Sequence, residues 1–246
     1  MGDTAAVISA YGEAERIGRT VEAARSVPGV DFVVVVDDGS RDARETSQIA
    51  KDHGAIVVRH PRNRGKGAAM ETGAATVAAI EAREGGRNAR HLLFLDADLG
   101  ESAAKAEPLI APIRAGKAGM TIAILPPQDV AGGGHGFVVR LARDGIRRCV
   151  GFEPTQPLSG QRCLTREAFE TALPLAYGFG VETGLTVDVL RAGIRVLEVE
   201  VPLHHRVTGT AFADQVHRGR QYRDVALALA LRSVPANLRP ETWRAR

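Results

Sequence analysis

Aromatic residues are scarce in this 246-residue chain: they make up 4% of it, and tryptophan occurs once. A core has to be assembled from Ala, Val, Leu and Ile, and the stacking platforms that hold single-stranded nucleic acid are missing. Nucleic acid is therefore not expected as a partner. Cysteine is nearly absent too. The two, Cys149 and Cys163, form no CxxC pair and no zinc-type spacing, which points to free thiols in a reducing cytoplasm. No apolar run approaches the roughly 18 residues of a membrane span, and the N-terminus has no basic n-region, so neither a membrane span nor a signal peptide is expected. Charge of one sign is also lacking: 32 basic against 29 acidic side chains leave +3. So mild an excess suits a protein that handles phosphates and equally suits an ordinary solvated surface. Internal repeats and low-complexity tracts are missing as well.

What is present is an ordinary globular composition, 44% hydrophobic and 25% charged, in a chain long enough for one large α/β domain over 1–246. Apolar runs at 5–10, 32–36, 55–59, 92–95 and 120–124 predict strands. Between them, helical spacing predicts helices over 13–26, 41–53 with Ser40 as N-cap, 66–85 and 103–115. Strands alternating with helices imply a doubly wound, mostly parallel sheet. The Pro- and Gly-rich stretch 126–136 breaks the chain into halves, 1–125 and 126–246, and reads as a linker or as a mobile loop at the mouth of a site. Beyond it, helices are predicted over 137–150, 181–191 and 212–231, with a strand over 195–201.

Ligands of such sheets bind outside the carboxyl ends of the strands. Those ends carry Tyr11, Asp37, Asp38, Asp96 and Asp98. The two carboxylates of Asp96-Ala97-Asp98 can reach one hard cation, Mg²⁺ or Mn²⁺, which would neutralise a diphosphate leaving group. On its own this spacing is more often a solvated turn than a metal site; its place at the end of the fourth strand, at the ligand-binding edge, is what favours the cation. Asp37-Asp38-Gly39-Ser40 ends a strand of four valines; one acid there can accept hydrogen bonds from a base or ribose, and Gly39 lets the backbone pass close to a ligand. A helix-capping turn would explain Ser40 but not two adjacent acids. Lys66, at a helix start, can pair with a phosphate. It is not part of a P-loop, because His60 stands where the first glycine would be and Gly67 replaces the Ser or Thr.

The ordered set Ala10-Tyr11-Gly12-Glu13, Val36 to Ser40, Gly65-Lys66-Gly67 and Asp96-Ala97-Asp98 resembles the GT-A glycosyltransferases, their second family above all. The resemblance covers about the first 125 residues. The family often has Pro where Ser9 stands and Asn where Gly12 stands. It implies the GT-A fold and a UDP- or GDP-sugar donor. Ala10, Tyr11, Glu13, Asp37, Asp38, Gly39, Ser40, Lys66 and Asp96 would line the donor site, with Tyr11 beside the base and Asp96 and Asp98 on Mg²⁺ or Mn²⁺.

In the second half, 156–160, 178–185 and His205-Arg206 look like the glucosyl-3-phosphoglycerate synthase group and its mannosyl relatives. The Ser-Gly-x-Arg of 159–162 also resembles the dolichol-phosphate mannose and glucose synthases. The first likeness implies His205 as a third metal ligand, with His204 the alternative, and Ser159, Gly160, Arg162 and Arg206 near the acceptor. Glu182 would bind sugar hydroxyls or act as base, alongside Asp98; capping its helix is the plainer role. The acceptor would be a small hydroxylated or phosphorylated molecule or a polyprenyl phosphate. His217, Arg218, Arg220 and Arg223 would grip an acceptor phosphate or anionic lipid, or form a solvated face. A cytoplasmic protein follows, compatible with a homodimer and with contact at the inner face of a membrane. Of the rivals, a sugar nucleotidylyltransferase would carry a GGxGTR-type loop where residues 10–15 stand. A non-catalytic nucleotide-sugar sensor would not need the acidic pair.

Overall fold

The structure, a computed structural model, describes residues 3–42, 44–86, 89–126, 135–204 and 212–233. Strands β1 (Thr4–Ala10), β2 (Val30–Asp37), β3 (Ile56–Arg59) and β4 (His91–Asp96) alternate with helices α1 (Ala14–Arg25), α2 (Glu45–Asp52) and α3 (Lys66–Arg83). Then follow α4 (Glu107–Arg114), β5 (Met120–Ile124), α5 (His135–Val150), β6 (Arg162–Leu164), α6 (Arg166–Thr171), α7 (Val181–Arg191), β7 (Val196–Glu200) and α8 (Phe212–Ser233). Seven strands form one sheet in the order β3-β2-β1-β4-β6-β5-β7. All neighbours are parallel except β6, which runs antiparallel to both β4 and β5.

The valine run of β2 shows why the sheet is sandwiched. Val33 to Val36 are each 0% exposed. Side chains alternate across a strand, so Val33 and Val35 join a core layer with Ile8, Ile17 and Val21, while Val34 and Val36 join the other with Val7, Met70 and Val77. The Ala-rich α3 lies close on that second face: a Cβ at Gly73 would stand 2.3 Å from Val7 Cγ1. Small residues here replace the missing aromatics by letting helix and sheet approach.

Several expectations need correction. Ser40 does not cap a helix. α2 starts only at Glu45, after Arg44 at φ 77, and the Ser40 hydroxyl instead accepts from Gly12 N at 2.9 Å. The helix expected over 103–115 is split into a 3₁₀ turn, Gly100–Lys105, and α4, which starts at Glu107 with Pro108 in its first turn, where a missing N–H costs nothing. β6 and α6 were not foreseen; a three-residue strand shows no periodicity. Most of the glycine-rich stretch read as a lid or linker, 127–134, lies outside the described residues, and Gly136 belongs to the first turn of α5. Among the described residues no helix is long and apolar enough to cross a membrane.

Candidate active site

The parallel register brings the chemistry together. Ala10 pairs with Asp37, and Ser9 with Asp96, so the ends of β1, β2 and β4 lie side by side at one edge. A cavity of about 680 Å³ opens there, a size that suits a nucleotide-bearing ligand. One wall is Ser9, Ala10, Tyr11, Asp38, Asn63, Gly65 and Lys66; the facing wall is Tyr177, Gly178, Phe179 and Glu182, then Arg220, Arg223 and Asp224 from α8.

The Asp37–Ser40 motif knits three loops. Asp37 is fully buried; its Oδ1 accepts from Ser40 N at 2.8 Å, and Ser47 Oγ donates to its Oδ2. Burial works against its charge, but the bonds from Ser40 and Ser47 and the nearby Arg59 guanidinium hold its carboxyl below the usual carboxylate range. Asp38 accepts from Arg64 N at 2.8 Å and Gly65 N at 2.7 Å, and bonds His60 Nδ1 at 2.7 Å. It thereby fixes the turn that delivers Lys66. Gly39, at φ 76, passes so near that turn that a Cβ would lie 2.5 Å from the Arg62 carbonyl carbon. Of the two acids offered as nucleoside readers, only Asp38 lines the cavity. Asp37, Gly39 and Ser40 support its rim from behind. Glu13 is not on the cavity wall either: its carbonyl caps α1, and its carboxylate bonds Arg16 at 3.0 Å.

Lys66, the first residue of α3, is the electrostatic centre. Its ammonium lies 2.6 Å from Asp96 Oδ1 and 2.9 Å from Glu182 Oε1. Burial opposes its charge, but the two carboxylates outweigh that and hold its pKa above the ordinary lysine value. Gln161 holds Asp96 from the other side: its amide donates to Oδ2 at 2.8 Å and its carbonyl oxygen accepts from Asp96 N at 3.0 Å. Gly160 runs beneath the pair, where a Cβ would meet Lys66 Nζ at 2.2 Å and the Asp96 carboxylate at 3.1 Å.

Arg162 was expected to touch the acceptor, and the structure corrects this. Its side chain is 0% exposed, with Nε donating to Ser159 O at 2.8 Å and Nη1 to Thr186 Oγ1 at 2.9 Å. Burial pushes its pKa down to about 10, against the pull of Glu182 and Glu198. It is a buried strut of the 157–162 segment. Ser159 is buried with it and is not among the cavity-lining residues.

His205 and Arg206 lie outside the described residues. His204 is exposed, its N–H donated to Ser102 Oγ at 3.1 Å. Among the described residues no three His, Cys, Asp or Glu side chains cluster as a metal site. Asp96 and Asp98 nevertheless fit a hard cation of the Mg²⁺ or Mn²⁺ kind: oxygen donors at a strand end, one of them oriented by Lys66 and Gln161, with coordination left for a ligand's phosphates. Cys163 is walled into the core, where burial pushes its thiol far up, and both cysteines are free.

Three contributors escaped the sequence. Gln161 sat unremarked inside the Ser159–Arg162 stretch. Tyr177 is 78% exposed at the cavity mouth, and an exposed aromatic ahead of two glycines was the available signal. Asp224 has no sequence signal: its Oδ2 accepts from Phe179 N at 3.2 Å, and Gly178 has no room for a Cβ, which would fall 2.1 Å from that oxygen.

Residues 5–134, from β1 through the Asp96-Ala97-Asp98 turn and beyond β5, match the sequence profile of glycosyl transferase family 2. The chain belongs to that family. Glycosyltransferase AglJ of Haloferax volcanii is 32% identical over 210 residues, 81% of this chain and 62% of the relative. Glucosyl-3-phosphoglycerate synthase of Mycolicibacterium smegmatis is 31% identical over 206 residues, 74% of this chain and 62% of the relative. The chain thus spans 62% of the length of each of these two family members. The crystal structure of the Mycobacterium tuberculosis glucosyl-3-phosphoglycerate synthase with Mn²⁺, UDP and phosphoglyceric acid superposes with a TM-score of 0.70 at 27% identity, covering 95% of this chain and 80% of that one. Another structure of that enzyme holds Mg²⁺ and UDP. The fold of the family 2 chain described here is therefore the expected GT-A fold, with a mostly parallel sheet of mixed sense.

Proposed function

We propose that this family 2 chain transfers a sugar from a UDP- or GDP-sugar to a hydroxylated or phosphorylated acceptor, with Mg²⁺ or Mn²⁺ on the donor diphosphate. The observation that carries the reading is the Asp96–Lys66–Glu182 cluster at the strand ends, in which Lys66 and Glu182 line the cavity and Asp96 holds Lys66 from just outside the lining. An ammonium held between carboxylates at a helix start is positioned to meet a diphosphate, since the helix N-terminus already favours anions. Tyr11 and Asp38 would flank the nucleoside. Asp96 and Asp98, joined by His205, would hold the cation, which neutralises the charge that builds on the departing diphosphate. Lys66 would shift part of its pairing from Asp96 to the phosphates. Glu182 would orient the sugar hydroxyls or take the proton of an acceptor hydroxyl. Both halves of the chain contribute to one cavity, so we take 1–246 as one catalytic unit: 1–125 for the nucleotide and 126–246 for the acceptor.

Likeness to the phosphoglycerate enzymes supports a small phosphorylated acceptor. A polyprenyl phosphate is the second reading, favoured by Tyr177 on the cavity wall and by the exposed Leu173 and Leu231 that share an adjoining groove with it. A thermal-shift panel of UDP- and GDP-sugars tests the proposal, because ligand binding raises apparent stability by mass action. A stabilisation that requires both one donor and Mn²⁺ is expected. No shift with any donor would overturn the proposal, and a shift without turnover on any acceptor would favour a sensor.

A further inference from the structure

Four of the large apolar side chains that the fold leaves exposed lie along one edge: Leu173 at 44%, Tyr177 at 78%, Leu227 at 54% and Leu231 at 45%. On α8, positions 220, 223, 227 and 231 fall on one stripe at helical spacing. Arg220 and Arg223 form its end at the active-site cavity, and Leu231 forms its other end, in a groove of about 360 Å³ shared with Leu173 and Tyr177. Tyr177 lines both the cavity and the groove, so the two adjoin at its side chain. Two acids of this edge are engaged, Asp188 by Arg232 and Asp224 by Arg223, while Glu170 beside Leu173 is exposed. Arg220 has no hydrogen-bond or ion-pair partner among the described residues.

We propose that this strip is a membrane-docking surface for an anionic bilayer, with Arg220 and Arg223 at the headgroup phosphates and Leu173, Tyr177, Leu227 and Leu231 dipping among the acyl chains. Basic residues flanking exposed leucines and an aromatic are the composition of interfacial helices, and their affinity adds apolar burial to attraction for anionic lipid. A second copy of the chain fits less well. Pairing two such stripes would take Arg220 out of water, and positions 220, 223, 227 and 231 carry no acid to meet it. Docking would turn the cavity mouth toward the headgroups without closing it. The proposal stands apart from the transfer reaction, because binding to lipid is read without donor or acceptor.

Flotation with vesicles tests it. The wild-type chain is expected to bind vesicles that are one-third phosphatidylglycerol and to leave them as salt is raised, with little binding to pure phosphatidylcholine. Leu227→Glu combined with Leu231→Glu should lower vesicle partitioning at least tenfold, while melting temperature and UDP binding with Mn²⁺ stay as in wild type. Leu227→Gln alone should give a smaller loss in the same direction, and Arg220→Gln should lose about fivefold on anionic vesicles. Wild-type protein that fails to float, or a leucine double variant that floats as well as wild type, would overturn the proposal. So would a wild-type dimer that the double variant dissociates, since the strip would then belong to a second copy.

Discussion

Lys66 joins the two halves of the chain, pairing with Asp96 at the end of β4 and Glu182 in the first turn of α7 above the bare backbone of Gly160. Lys66→Ala should weaken binding of the nucleoside diphosphate by about 1.5–3 kcal/mol, the scale of a charge-assisted hydrogen bond. Calorimetry checks this, and an equal loss for the free nucleoside would mark the lysine as structural. Gly160→Ala should be as harmful to donor binding, because its Cβ would come 2.2 Å from the ammonium. Asp37 has a separate role. Its folded-state pKa is depressed, so the stability it contributes is full above the usual carboxylate pKa, about 4, and is lost as pH falls through the lower folded value. Asp37→Asn should therefore flatten the acid limb of the stability curve, measured by urea unfolding below that pH. An unchanged acid limb would show that Asp37 is not among the acids that set it. These roles were half legible in the sequence. The residue types at the strand ends showed where charge would gather. Whether an acid faces the cavity or the loop behind it depends on loop contacts between residues 22 to 27 positions apart, which no local pattern reports.

At the scale of elements, periodicity served wherever an element was long. Helix 181–191 was foreseen at its observed bounds, and the strands of the first half were foreseen to within two residues at either end. It failed where tertiary contacts override local preference. Ser40 looked like a cap but is spent on Gly12 N, and β6 is a strand only because β4 and β5 leave a gap for it. The packing of α8 against the Gly178–Gly180 turn is of the same kind. Gly178 sits at φ 59 with Asp224 against it. Gly178→Ala should cost about 1–3 kcal/mol from the backbone conformation alone and push α8 outward. Hydrogen exchange should then quicken in α8 and in the 173–180 segment but not in β1, β2 or β4. Uniform quickening across the sheet would show instead that the turn supports the whole core.

Across the whole molecule, the alternation of strands and helices announced a parallel sheet, and the ordered acidic motifs announced the family before any contact was known. The order of strands beyond β4 was not legible, because β6 comes from the second half and inserts between two strands of the first. Nor was the way α8 completes the cavity, since its arginines resemble any solvated basic face until Tyr177 and Glu182 stand opposite them. The central claim is that this edge of the sheet binds a nucleoside diphosphate through a cation held by Asp96 and Asp98. Titration of UDP and GDP into the wild-type chain and into Asp98→Ala, each with Mn²⁺ and with a chelator, tests it most directly. For one of the two nucleotides, wild-type affinity should rise at least tenfold with Mn²⁺, and Asp98→Ala should lose that rise while keeping its melting temperature and its weak metal-free binding. Equal affinity with and without metal in the wild type, or a full metal response in Asp98→Ala, would contradict it.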